Sequence, residues 1–198
     1  MRLLVARHGE TQFNAEHRYL GALDPELNMR GELQAIALRS ALPEKLDTVV
    51  CSPLRRALRT AEIVCQGREL VPVVCEAFRE RNVGVFEGLT QQEARFRFPE
   101  LWAQNVTRQW HAAPTSGESI AAVVDRVSSG LTSLAEKHAG DVVALVAHGF
   151  VAKVIRAVSF AGFADFFEWQ LANGDVFEVA LQPDSSIERT PSLSFMTG

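Results

Sequence analysis

The chain has 198 residues, 47% of them hydrophobic and 22% charged, and carries a formal net charge of −4. That balance belongs to an ordinary globular protein, with length enough for a core that needs no metal or disulfide staple. It excludes nucleic-acid binding through a global basic field, so any anion must be held by a local basic pocket. The three cysteines, Cys51, Cys65 and Cys75, show no C-x-x-C spacing, as expected for reduced thiols in the cytoplasm. No apolar run reaches the roughly 18 residues of a membrane span. The opening run, about five residues, falls short of a secretory signal core.

"RLLVA" (2–6) predicts a buried strand. Residues 28–42 follow as a helix, with Leu33, Ile36, Ala37 and Leu38 at helical spacing. "DTVVCS" (47–52) predicts a second strand, and 53–65 a helix with Ser52 as N-cap and Pro53 at its first position. "LVPVVC" (70–75) is a third strand, marked as an edge by Pro72. Two short helices broken around Pro99 fall in residues 90–110, with Phe96, Phe98, Leu101 and Trp102 as packing residues of a small cap. Trp110 is assigned to the same packing. Thr115 and Glu118 fit a capping box that opens a helix to about His138. "DVVALVA" (141–147) is a buried strand, a helix follows Gly149, and "VFEVAL" (176–181) closes the sheet. Strands alternating with helices predict an α/β layered fold with a mostly parallel sheet. The whole chain, 1–198, reads as one domain with a cap at about 90–115 and a loose polar tail at 182–198.

Three strands end in cationic or imidazole groups. The first ends in Arg7-His8-Gly9, and "VVALVA" ends in His148-Gly149. The 47–52 strand runs into a helix whose first turn holds Arg55 and Arg56. Ligands of open parallel sheets bind at the carboxyl ends of the strands, and helix N-termini there favour anions. The glycines let the backbone turn and approach a ligand closely. An acidic chain that gathers these groups at one edge is suited to a small, highly charged anion, phosphate above all.

The same residues sit in an ordered series of segments. "RHGET" (7–11) with Asn14 is followed by "GALDPELNMRGELQA" (21–35), "SPLRRALRTAE" (52–62), "FRERNVGVFEGL" (78–89), "SGES" (116–119) and "AHG" (147–149). Together they resemble the histidine phosphatase superfamily, the phosphoglycerate-mutase-like enzymes, with Asn28 standing where threonine is usual. The resemblance implies a three-layer α/β/α fold and a chemistry that needs no metal or other cofactor. It implies His8 as nucleophile through an imidazole nitrogen, with Arg7 and Arg56 favouring the neutral ring. Arg7, Arg56 and His148 match the phosphate clamp, and Asn14, Gly149 and the backbone near Gly9 and Thr11 complete phosphate binding. Glu80 matches the proton donor to the leaving alkoxide, then the base for hydrolytic water. Glu87 reads as structural, and Arg55 and Arg59 as a solvated stripe.

Two features separate the phosphatase branch from the mutases. Phe150 and Val151 follow the second His-Gly where mutases carry Asn-Ser, and Arg95, Arg97 and Arg108 occur singly rather than as an Arg-Arg pair. Apolar Phe150 implies a weakly charged leaving group. The expectation is a phosphatase of small phosphorylated metabolites, with no nucleic-acid or membrane partner and an oligomeric state that the sequence leaves open. Mutase-type transfer, phosphoprotein hydrolysis and a non-catalytic phosphate-binding module are the alternatives. A cysteine phosphatase needs Cys-x5-Arg; from Cys51 that position holds Ala57.

Overall fold

A computed structural model describes residues 1–182; the expected tail lies outside them but for Gln182. The sheet has five strands: β1 (Arg2–Arg7), β2 (Thr48–Cys51), β3 (Val73–Val74), β4 (Val142–Ala147) and β5 (Val176–Ala180). Their order is β3-β2-β4-β1-β5, with β5 antiparallel to β1 and the other pairings parallel. Strands covered on both faces read as continuous apolar runs, and the period of two divides them between layers. Leu3, Val5, Val143, Leu145 and Ala147 join one core; Leu4, Ala6, Ala144 and Val146 join the other.

Helices α2 (Met29–Ala41) and α3 (Arg55–Cys65) cover the second face. Helices α6 (Ile120–Lys137) and α7 (Gly149–Arg156) cover the first. Two short helices, α4 (Gln91–Arg97) and α5 (Pro99–Ala103), lie against a third apolar cluster built on Phe86, Leu89, Ala94 and Val106.

Several local expectations need correction. The buried face of α2 is Gly31, Ala35 and Leu38, while Leu33 and Ile36 face solvent. Ser52 does not cap α3, because its hydroxyl is 2.7 Å from His148 Nε2; Leu54 is the N-cap and the helix starts at Arg55. Ser119, not Thr115, caps α6, leaving Glu118 to accept from the Asn82 N–H and pair with Arg126. β3 has two residues, starting after Pro72, which has no N–H to donate. Phe96 is 86% exposed, and Trp110 belongs to the main core, edge-on to Phe163. One four-residue helix, α1 (Gln12–Ala15), was not foreseen; Thr11 and Asn14 cap it reciprocally.

Candidate active site

The β1–β4 pairing sets Arg7 opposite Ala147, so the next residues, His8 and His148, meet just beyond the sheet edge. Their rings lie 5.1 Å apart, edge to face. Because β4 lies between β1 and β2, the loop after β2 reaches the same edge, and the first turn of α3 delivers Arg56. The His8 Nδ1 atom is 2.6 Å from the Gly9 carbonyl, which can only accept, so the ring proton is assigned to Nδ1. Nε2 then keeps its lone pair, 3.3 Å from the Arg56 Nε–H. Burial, then the charges of Arg56 and Arg7, hold the His8 pKa well below the ordinary histidine value. A neutral imidazole whose Nε2 lone pair is held only by this long contact from Arg56 is a nucleophile at neutral pH.

Two buried arginines, Arg56 and Arg81, and the half-buried Arg7 surround it. Arg7 donates to the Leu171 carbonyl, Arg56 to the carbonyls of Gly21 and Leu23, and Arg81 to those of Glu118 and Thr107. None of these partners is charged. Arg7 Nε, Arg81 Nη2 and His148 Nδ1 are buried without a hydrogen-bond partner. Burial lowers the pKa of all three guanidinium groups, Arg81 to about 10, yet each remains charged at neutral pH. Buried cations and orphaned donors are costly unless an anion completes them.

Glu80 stands among these charges. Its Oε1 accepts from the Arg81 N–H at 2.9 Å and its Oε2 from the Phe150 N–H at the start of α7 at 3.2 Å. The cavity that opens over His8 measures about 320 Å³. Six cationic side chains line it (Arg7, Arg18, Arg56, Arg81, Arg108 and Lys153) against one carboxylate, Glu80. In a chain of net charge −4 this is a local inversion of sign. Residues 3–190 match the histidine phosphatase superfamily (branch 1).

The chain belongs to that superfamily. It is 37% identical over 153 residues to Phosphoglycerate mutase-like protein 4 of Arabidopsis thaliana, covering 75% of this chain and 66% of that one. It is 32% identical over 149 residues to Phosphoserine phosphatase 1 of Hydrogenobacter thermophilus, covering 75% and 71%. Among solved structures, the mycobacterial glucosyl-3-phosphoglycerate phosphatase in complex with VO3 superposes with a TM-score of 0.81 at 28% identity, covering 90% and 92%. Superfamily membership thus comes with relatives of both mutase-like and phosphatase name.

The sequence-derived residues of this superfamily member fall into two groups. Arg7, His8, Asn14, Arg56 and Glu80 line the cavity, and His148 lies buried beside His8. Asn14 spends its Oδ1 on the Thr11 N–H and hydroxyl, which leaves Nδ2 as its donor. Gly9 and Thr11 depart from expectation, because their N–H groups donate to Thr60 and Asn14. Gly9 makes its close approach to the backbone of Gly31, where a Cβ would stand 2.2 Å from the carbonyl oxygen. A Cβ on Gly149 would lie 3.4 Å from the Arg7 Cζ.

Glu87 accepts from the Ala22 and Val83 amides, a structural post as expected. Arg55 and Arg59 pair with Glu26 and Glu32 at the surface. Burial raises the Cys51 thiol to about 12, and the residue packs in the α2/α3 core. Phe150 is no apolar seat for a leaving group: its ring carries the Arg81 guanidinium at 4.9 Å. Arg81, Lys153 and Phe167 are site residues that the sequence reading missed. Lys153 could have been found, since it lies one turn beyond Gly149 and so on the face that starts at the site. Among the described residues no group of three His, Cys, Asp or Glu side chains is placed to hold a metal ion, and no helix is long and apolar enough to cross a membrane.

Proposed function

We propose that the protein hydrolyses phosphomonoesters of small metabolites without a metal, through a phosphohistidine on His8. One observation carries the reading: the Gly9 carbonyl fixes the His8 tautomer so that Nε2 presents its lone pair toward Arg56, in a cavity where Arg7, Arg56 and Arg81 are hydrogen-bonded to carbonyls. In the first step Nε2 attacks phosphorus and the bond from phosphorus to the ester oxygen breaks. Glu80, as the acid, gives its proton to the departing oxygen. In the second step water attacks the phosphohistidine, Glu80 takes its proton, and the P–N bond breaks to free phosphate.

Arg7, Arg56 and the His148 Nδ1–H clamp the equatorial oxygens throughout, where fixed cations supply most of the catalysis of phosphoryl transfer. Asn14 adds an amide donor. These guanidinium groups do the charge neutralisation that other phosphatases assign to metal ions. The cavity volume suits a small ester. Water as acceptor agrees with Phe150 and Val151 at the start of α7, in place of the polar pair of the mutases, and with the phosphatase names among the relatives. The test is phosphate release from a panel of phosphorylated metabolites in EDTA, comparing the protein with His8→Ala. Turnover in EDTA that vanishes in the variant is expected; activity that persists in His8→Ala, or is abolished by EDTA, overturns the proposal.

A further inference from the structure

Five of the six cations that line the cavity over His8 are arginines, and the sixth is Lys153. The whole chain has three lysines, Lys45, Lys137 and Lys153, against 17 arginines, and the other two lysines are exposed and outside this cavity's lining. The difference is one of chemistry. A guanidinium stays protonated and is no nucleophile, whereas an ammonium that loses its proton becomes an amine with a lone pair. The hydrolytic mechanism gives this amine no task.

Three features suit Lys153 to act as a nucleophile. It sits half-buried on α7, one turn beyond Gly149, and a helical side chain leans toward the N-terminus of its helix. Its stem therefore runs back over the turn at which Gly149, without a side chain of its own, packs against the Arg7 guanidinium. The Nζ atom donates to the Phe167 carbonyl at 3.3 Å, a partner that holds a neutral amine as well as a charged one. Burial, then Arg108, push its pKa below the ordinary lysine value; Arg7 adds to the effect, and Glu168 and Glu80 oppose it.

We infer that Lys153 is an acyl-acceptor site, modified by acyl phosphates that the cavity binds through their phosphoryl group. The inference rests on the phosphate clamp of the proposed function. An acyl phosphate carries its carbonyl carbon one oxygen away from phosphorus. A phosphoryl group held by Arg7 and Arg56 thus brings an electrophilic carbon into the cavity that Lys153 lines. The neutral Nζ attacks that carbon, an N–C bond forms, and the bond from carbon to the phosphate oxygen breaks. The proton lost by nitrogen leaves on the departing hydrogen phosphate, and Lys153 becomes an uncharged amide. Attack by His8 on phosphorus competes for the same bound molecule and ends in hydrolysis.

The test incubates the protein with acetyl phosphate and follows acetylation of Lys45, Lys137 and Lys153 by peptide mass spectrometry. Lys153 should react about tenfold faster than either surface lysine, a small part of what an aligned pair gains from proximity. Excess inorganic phosphate, which occupies the clamp, should bring Lys153 down to the rate of the other two. Acetic anhydride has no phosphoryl group for the clamp to hold, so with it the preference should fall. His8→Ala, which cannot hydrolyse the reagent, should show the same preference and the same suppression by phosphate. Equal rates at the three lysines in both proteins overturn the site. So does a preference that phosphate does not suppress, or one as large with acetic anhydride. Failure of the phosphatase reading shows separately, as missing phosphate release from esters while phosphate-sensitive acetylation of Lys153 persists.

Discussion

Ser52→Ala isolates the support beneath the proposed phosphate clamp. The Ser52 hydroxyl accepts the Leu54 N–H at 3.3 Å and lies 2.7 Å from His148 Nε2, with both side chains wholly buried. With no other acceptor bonded to it, the hydroxyl proton goes to Nε2, which assigns the ring proton of His148 to Nδ1. That atom has no partner in the protein. Alanine removes the hydrogen bond that holds the ring and its tautomer, and leaves a buried acceptor unsatisfied at about 1–3 kcal/mol. For a chain of this size each kcal/mol moves the melting midpoint by about 2–4 °C, so a fall of about 2–12 °C is expected.

The kinetic effect follows from the tautomer. A positioned donor to transition-state charge is worth roughly 10²–10³ in rate, and Ser52→Ala loosens such a donor without deleting it. The kcat for phosphate release should therefore fall about tenfold to a hundredfold. Thermal denaturation and steady-state phosphate release on the same preparation check both effects. An unchanged midpoint together with an unchanged kcat would refute the assignment of Ser52 as the group that orients His148.

Two further outcomes concern acid and backbone packing. His8 and His148 have folded pKa values well below the ordinary histidine value, so on acidification the unfolded chain takes up protons before the folded one. Stability is then fully present above about pH 6.5 and declines below it, by up to roughly 1.4 kcal/mol per pH unit for each histidine, until the folded-state pKa values are reached. Urea midpoints between pH 7 and 5 test this, and a double His8→Ala/His148→Ala variant should show a shallower decline. Gly9→Ala should destabilise by about 1–3 kcal/mol and depress kcat, because its Cβ strikes the Gly31 carbonyl beside His8. Gly149→Ala, whose Cβ makes ordinary contact, should leave the midpoint close to its original value.

What the sequence made legible was whatever depends on neighbours along the chain. The apolar runs that end in Arg7-His8 and His148 announced both the strands and the edge where chemistry collects, since an abrupt polar stop is a local signal. The start of α3 was misplaced by two residues because Ser52 has two possible partners, a helix amide or a distant imidazole. Only the three-dimensional pairing of β2 with β4 brings the imidazole within reach.

Arg81 and Arg108 were hidden for a related reason. A single arginine gives no sign that it will lie over a phenylalanine, whether buried as Arg81 is or exposed as Arg108 is; the rings of Phe150 and Phe167 come from elements distant in sequence. The reading of Phe150 as an apolar seat failed on the same point, because an aromatic face attracts a cation as readily as a hydrocarbon. On α2, the spacing pointed to the face of Leu33 and Ile36, whereas the helix buries Gly31, Ala35 and Leu38, with Gly31 close against Gly9 and Glu10.

The central claim is that His8 Nε2 becomes phosphorylated. Glu80→Gln separates the two steps, because an aryl phosphate such as p-nitrophenyl phosphate has a leaving group that needs no proton, while attack by water still needs the base. Rapid mixing followed by alkaline quench, which preserves phosphohistidine, and peptide mass spectrometry should find one phosphate on His8 at close to one per protein. A burst of p-nitrophenol of the same size should accompany it. A burst without covalent phosphate, or phosphate on any residue other than His8, would contradict the account.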